Sequence, residues 1–295
     1  MRRLLVLGAL VGLGGAAVGL SSGFEEASAQ PQRAVALQKL RDNLYVASGG
    51  GGNSAVFVTD LGVVIVDTKL PGWGQPLLER IKTITGKPVV TLINTHAHSD
   101  HVGSNEFFGT AVEIVAHDNT RLAMDKLDAF KAEKVNFLPK LMFRDTMTLS
   151  AGRDRIDLYY FGRGHTNGDA WVVFRAARVV HAGDMFAGTE PPTIDTTSGG
   201  SGLEYAATLA KAAAGIRNVD TVITGHGSVV PWKDLGIYAA FTRDLRDSVV
   251  DGFGRGLGVS EIAARWSLPA KYSRYSAPPE RIRADVEAIV GELSR

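Results

Sequence analysis

The sequence predicts an α/β protein in which two β-sheets pack face to face with helices on their outer sides. Three observations predict it. Each half of the chain carries several β-branched or alternating runs of strand length and then helical segments, the order expected when helices cover the outer faces of stacked sheets. No short period repeats, which removes a solenoid. No long linker divides the 295 residues, and 30–295 reads as one domain.

Taken in order, Val35–Ala47, Ala55–Thr59 and Gly62–Asp67 alternate or run in β-branched residues and read as strands, with Asp60-Leu61-Gly62 as a tight turn. Gln75–Thr85 places Leu77, Leu78, Ile81 and Ile84 at helical spacing and stops at Gly86, a C-cap residue. Pro88–Thr95 is apolar nearly throughout and reads as a strand buried on both faces. A short helix at Asn105–Gly109, a strand at Val112–Ala116 and a helix at Asn119–Ala132 follow. Further strands are expected at Thr146–Leu149, Arg155–Phe161, Ala170–Phe174 and Val179–Ala182. A helix at Leu203–Ile216 precedes a strand at Thr221–Thr224, and helices at Lys233–Val250, Glu261–Ser267 and Pro279–Leu293 finish the chain. Gly49–Gly52 and Gly188–Gly202 are expected to be mobile loops.

The first 29 residues read as a leader. Arg2 and Arg3 precede an apolar stretch, Leu4–Leu20, and Ala27-Ser28-Ala29 supplies the small-x-small pattern of a signal-peptidase site before Gln30. The apolar stretch is short for a membrane span and carries four glycines between positions 8 and 15, so cleavage is expected rather than a stable anchor. Export would place the mature protein in the periplasm or outside the cell. Removing two Arg and two Glu leaves the formal charge at +1. That balance gives no general attraction to nucleic acid. The chain has no cysteine, which excludes disulfides, thiolate zinc sites, iron–sulfur clusters and cysteine nucleophiles. Any metal must be held by imidazole and carboxylate.

Three of the seven histidines fall within six residues, in Thr95-His96-Ala97-His98-Ser99-Asp100-His101. His96 and His98, at i and i+2 just beyond a strand, project to one side. Asp100 and His101 follow where the chain turns and can address a neighbouring position, so the segment can feed two metal ions. Gly164-His165-Thr166-Asn167-Gly168-Asp169, His181-Ala182-Gly183-Asp184 and Gly225-His226-Gly227 stand at later strand ends or loops. Each is a weak signal alone, and the four in this order are a strong one.

The order HxHxDH, GHT, GD and GHG resembles that of the metallo-β-lactamase fold superfamily, over roughly Ala47 to Gly227. The resemblance implies an αββα sandwich of two β-sheets flanked by helices and a dinuclear zinc hydrolase. It implies one Zn2+ on His96, His98 and His165, a second on Asp100, His101 and His226, and Asp184 bridging the two. Asp67 matches a carboxylate that supports the metal loop without ligating. His117 and His181 match no ligand position and read as structural, while Asp169 is a candidate for orienting His165.

The chemistry so implied is attack on a carbonyl by hydroxide held between two zinc ions, whose bound water has a pKa near ~7. Asp100 would orient that nucleophile or carry its proton. No G-x-S-x-G elbow suggests a serine triad instead. The substrate is a small molecule. The leading expectation is the amide of a β-lactam ring, favoured by the leader and opposed by the missing cysteine on the second zinc. The alternative is a lactonase or an ester, thioester or organophosphate hydrolase, which Asp184 fits better. Against the lactonase stands Met185-Phe186-Ala187, where many lactonases carry a tyrosine; against the glutathione thioesterase stands export. A mononuclear iron sulfur dioxygenase is the remaining reading. The fold does not choose among them.

Overall fold

Seven strands build the first sheet of the computed structural model, which describes residues 34–150 and 152–295; the segment expected to be a leader, 1–29, lies outside them. They are β1 (Ala36–Lys39), β2 (Leu44–Ser48), β3 (Ser54–Val58), β4 (Val63–Val66), β5 (Val89–Asn94), β6 (Glu113–His117) and β7 (Leu141–Phe143), lying side by side in chain order. Pairing is antiparallel from β1 to β4 and parallel from β4 to β7. The second sheet holds β8 (Thr146–Leu149), β9 (Ile156–Tyr159), β10 (Trp171–Phe174), β11 (Val179–His181), β12 (Thr221–Ile223) and β13 (Val230–Pro231), in spatial order β13-β12-β11-β10-β9-β8. Only β11 and β12 are parallel there. The helices are α1 (Gly74–Lys82), α2 (Ser99–Val102), α3 (Asp118–Met124), α4 (Gly202–Gly215), α5 (Asp234–Gly254), α6 (Val259–Arg265) and α7 (Pro279–Leu293).

The two sheets face each other across one core, and β10 shows why its sequence does not alternate. Val172 and Phe174 point inward, where Phe174 meets Phe57 of the other sheet at 5.0 Å between ring centroids. Trp171 and Val173 point outward and pack with Tyr205 and Leu209 of α4. Both faces are covered, so all four residues are apolar. On the other side, Leu77 and Ile81, four apart on α1, pack on Val56, Ile65 and Leu92 of the first sheet. This is the αββα sandwich. A further core of Leu245, Val249, Ile262, Ile282, Val286 and Ile289 joins α5, α6 and α7.

Several elements differ from expectation for local reasons. Val35–Ala47 is a hairpin of β1 and β2, broken at Arg41-Asp42-Asn43, where the amides of Leu40 and Arg41 both donate to the Leu44 carbonyl. The helix expected to reach Ala132 stops at Met124, because the next amides bond three residues back (Lys126 to Ala123, Leu127 to Met124) and tighten the turn. α1 ends at Lys82, before Gly86. β7, β13 and the single-turn α2 carried no sequence signal of their own length. Among the described residues no helix is long and apolar enough to cross a membrane.

Parallel pairing decides where chemistry can be placed. β4 and β5 end at one edge of their sheet, β11 and β12 end at one edge of theirs, and the amide of Asn53 donates to the Gly225 carbonyl at 2.6 Å to join the two edges. The residues following those strands therefore converge.

Candidate metal centre

At that edge all seven candidate ligands meet, in two groups. His96, His98, His165 and Asp184 form one; Asp100, His101 and His226 form the other, and within each group one potential ligand atom per residue lies within 4.8 Å of the rest. Asp184, in the turn after β11, touches both groups. Its Oδ2 lies 3.7 Å from Nε2 of His165 and 3.3 Å from Nε2 of His226, and its Oδ1 lies 3.4 Å from Nε2 of His101. Asp100 Oδ2 stands 3.4 Å from His101 Nε2 and 3.3 Å from His226 Nε2.

Each of four imidazoles is gripped from behind at one nitrogen, which frees the other for the centre. Thr95 Oγ1 lies 3.0 Å from His96 Nδ1, Asp67 Oδ2 lies 2.7 Å from His101 Nδ1, and the Thr193 carbonyl lies 2.7 Å from His165 Nδ1. Asp195 Oδ2 lies 2.9 Å from His98 Nε2. Such back-side acceptors fix the tautomer and aim of a metal-binding histidine. The freed atoms fit a shared cation: His98 Nδ1 and His165 Nε2 are 3.0 Å apart, near the ~3.3 Å of two nitrogens on one tetrahedral ion. His96 Nε2 and Asp184 Oδ1 are buried with no hydrogen-bond partner. Unpaired buried polar atoms are costly, and a metal would satisfy both.

The electrostatics are polarised. Burial would lower His101, but Asp67, Asp184 and Asp100 outweigh it and hold the ring well above its ordinary range. His96, buried beside His101 and His165, is driven well below. Burial would raise Asp184, yet His101 and His226 hold it well below the usual carboxylate range. Contact with Asp184 raises His226. Burial pushes the Asp100 carboxyl up, and His101 with His226 more than reverses it.

Supporting residues explain the local backbone. Asp67 has φ 63°, and its carboxylate accepts from the Thr95 amide (2.8 Å) and hydroxyl (2.7 Å) as well as facing His101. Glycine is needed at 225, since a Cβ there would sit 1.9 Å from Asp184 Oδ1. Tyr205 of α4 donates its hydroxyl to the Asp184 carbonyl at 2.8 Å. His117 faces the Arg144 carbonyl (2.8 Å) and His181 the Asn53 carbonyl (3.0 Å), outside both groups. Asp169 makes no hydrogen bond to His165; it accepts from the amide and hydroxyl of Thr166 and closes its own turn.

Sequence reasoning missed Asp195, Thr193 and Lys69. The first two lie in the Gly188–Gly202 segment, expected to be mobile. It is tied instead to 164–167, with Asp195 N on the His165 carbonyl (2.9 Å) and Asn167 N on the Ser198 carbonyl (3.1 Å). Gly49–Gly52 is likewise held: the buried Lys69 ammonium donates to the Ala47 and Gly52 carbonyls at 2.6 Å each. Burial lowers Lys69 to about 7. A cavity of about 780 Å³ is lined by residues such as Arg41, Lys87 and Arg153 and includes none of the seven ligands. A cavity of about 430 Å³ does reach the centre, with Asp184 and His226 in its wall.

An αββα sandwich with a histidine–aspartate cluster at its strand ends defines the class of metal-dependent hydrolases. Residues 47–226 match the family model of the metallo-beta-lactamase superfamily, and the chain belongs to that family. It is 27% identical over 225 residues to a metallo-beta-lactamase type 2 of Elizabethkingia meningoseptica, spanning 68% of this chain and 80% of that protein. To a metallo-beta-lactamase type 2 of Bacillus sp. (strain 170) it is 25% identical over 211 residues, 66% of this chain and 77% of the other. Among solved structures, a metallo-beta-lactamase from Pontibacter korlensis superposes with TM-score 0.62 at 18% identity, covering 71% of this chain and 99% of that one. The stereoselective inverting sec-alkylsulfatase Pisa1 from Pseudomonas sp. gives 0.70 at 15% identity, over 86% of this chain and 50% of its own. These two likenesses are of fold.

Proposed function

We propose that this metal-dependent hydrolase works with two zinc ions and opens the amide of a β-lactam ring. His96, His98 and His165 would hold one zinc, Asp100, His101 and His226 the other, with Asp184 shared. The observation that carries the metal reading is the convergence of seven side chains, two of whose buried atoms, His96 Nε2 and Asp184 Oδ1, lack a hydrogen-bond partner. The substrate reading is supported by the type 2 metallo-beta-lactamases among the relatives. When bound, the metals supply Lewis acidity and a water whose pKa is brought to ~7.

The chain's own residues do the rest. Asp67, Thr95, Thr193 and Asp195 hold the ligating rings in place, so no reorganisation is needed when substrate arrives. Asp100, with 26% of its side chain exposed, is the ligand carboxylate open to the solvent side, where a proton can be received and passed on. The cavity of about 430 Å³ has room for a small molecule beside Asp184 and His226.

A lactone, ester, thioester or organophosphate substrate is the second reading. What favours it is Asp184 standing between both groups in a chain without cysteine. One experiment tests both: metal content and turnover of zinc-loaded protein against penicillin, carbapenem, acyl-homoserine lactone, thioester, phosphotriester and a secondary alkyl sulfate. About two zinc ions per chain are expected, with His165→Ala and His226→Ala each emptying mainly one site and Asp184→Ala loosening both. Undiminished metal in all three variants would sink the ligand set. Export is proposed with it, on Arg2-Arg3, the apolar stretch and Ala27-Ser28-Ala29. N-terminal sequencing should find Gln30 first; a soluble cytoplasmic product that keeps Met1 would end that claim.

A further inference from the structure

The cavity that reaches the centre has one arginine in its wall, supplied from outside the family match. Arg281, in the first turn of α7, lines it together with Asp184, Thr193 and His226, whereas the family match stops at residue 226. A guanidinium offers five N–H donors. Two of them, on Nη2, go to the Pro191 carbonyl (3.0 Å) and the Thr193 hydroxyl (2.5 Å). Nε is buried without a partner, and among the described residues Nη1 donates to nothing and no carboxylate pairs with Arg281. Thr193 is also the residue whose carbonyl faces His165 Nδ1, so the guanidinium sits two hydrogen bonds from the candidate metal ligands.

Two acids lie nearby and neither cancels the charge. Asp285, one turn further along α7, is buried, and burial keeps its carboxyl well above the usual range despite the attraction of Arg281. Glu190 is at the cavity's exposed rim, 3.5 Å from the Ser276 hydroxyl. With Nη2 engaged and Nε buried, Nη1 is the donor left to a ligand, and a charged donor in the wall of a reactive cavity is suited to receive an oxyanion.

We propose that Arg281 receives an oxyanion group of the substrate, a carboxylate or a sulfo group, while the bond to be cleaved lies at the Asp184–His226 wall. The proposal rests on the hydrolase reading and narrows its substrates to anionic ones. Arg281 would be a specificity residue contributed by the C-terminal helices.

The test is calorimetric binding of benzoate, benzenesulfonate and uncharged benzamide to the mature protein, zinc-loaded and chelated, for wild type, Arg281→Lys and Arg281→Met. Metal content is measured on each. Wild type should bind at least one anion and discriminate against benzamide, and the tighter anion identifies the group. Arg281→Met should weaken the anion on the order of tenfold to a hundredfold, the effect of losing a charge-assisted hydrogen bond, with metal content kept. Arg281→Lys, which keeps the charge and is the milder change, should fall between. The proposal is overturned if wild type binds no anion or if either variant binds it as wild type does. It is equally overturned if chelation alone abolishes binding, or if metal and anion affinity fall in step in both variants, the mark of a loop strap. Because binding is read without turnover, a protein that hydrolyses nothing in the panel would defeat the hydrolase reading and still answer this one.

Discussion

Asp100 and Asp184 are both carboxylates within 3.4 Å of His101, yet their surroundings differ. Asp184 has 8% of its side chain exposed and lies between the groups, while Asp100 has 26% exposed and faces only one. A buried, doubly engaged carboxylate is suited to holding metal; a more open one on a single group can also handle a proton. Asp100→Asn, assayed with saturating zinc, should therefore keep much of its metal and lose turnover by ~10²–10⁴-fold, the usual cost of removing a general acid or base. Full zinc with near-normal turnover would remove Asp100 from the catalytic residues. These positions were legible because histidine is scarce in the chain and His96, His98 and His101 are adjacent in it. Asp195 was not: it reaches His98 from 97 residues away, through a loop whose path is set by bonds to 164–167, and no spacing encodes that.

At the scale of elements, α7 packs Ile282, Val286 and Ile289 against α5 and α6, and its helical spacing made all of Pro279–Leu293 readable. One residue breaks the apolar stripe. Asp285 is buried on the same face, its Oδ2 has no partner, and burial raises its pKa well above the ordinary 3.8. Unfolded, it ionises near 3.8; folded, it keeps its proton to a higher pH. Between those two values the unfolded state holds fewer protons, so stability falls as pH rises through that window. Asparagine has the same shape and nothing to ionise. Asp285→Asn should change stability little at pH 4 and raise it at pH 7, the gap widening by about 1.4 kcal/mol per pH unit until the native pKa is reached. Thermal melts of both proteins across that range check it; a uniform loss at every pH would mean Asp285 is ionised against Arg281. Edge elements were the least readable. β7 and β13 are three and two residues long, too short for any period to show. The β1–β2 hairpin was hidden because β-type residues flank its Asp42-Asn43 turn on both sides.

At the scale of the molecule, the candidate ligands divide between the sheets. His96, His98, Asp100 and His101 follow β5 of the first, while His165, Asp184 and His226 follow strands of the second. Metal bound among them would clamp one edge of the sandwich, while the core between the sheets contains none of the seven. Chelation should accordingly lower the melting temperature without removing the fold. Free zinc at a hundred times Kd is worth about 2.7 kcal/mol, which for a chain this size is a shift on the order of 5–10 °C. The shift should also depend on pH, with a definite sign. Metal-free, His101 is held well above its ordinary 6.5 by its carboxylates, so its protonation stabilises the fold fully below 6.5, and that contribution is lost as pH rises through the native value. His226, raised by Asp184, acts in the same direction. His96 is neutral in the fold with or without metal, so the stability it adds as pH rises through 6.5 is the same in both forms and cancels in their difference; Asp184 stays ionised throughout this range. Zinc requires both raised rings neutral and must expel their protons, which is harder at low pH. From pH 6 to pH 8 the proton-linked stability that His101 and His226 give only the metal-free fold declines while zinc binds more tightly, and the melting-temperature gain on loading should grow. Melts with zinc and with chelator at pH 6, 7 and 8 measure it, alongside far-ultraviolet circular dichroism to confirm that secondary structure persists. A gain that stays flat or shrinks with rising pH would mean that His101 and His226 do not give up protons to a metal.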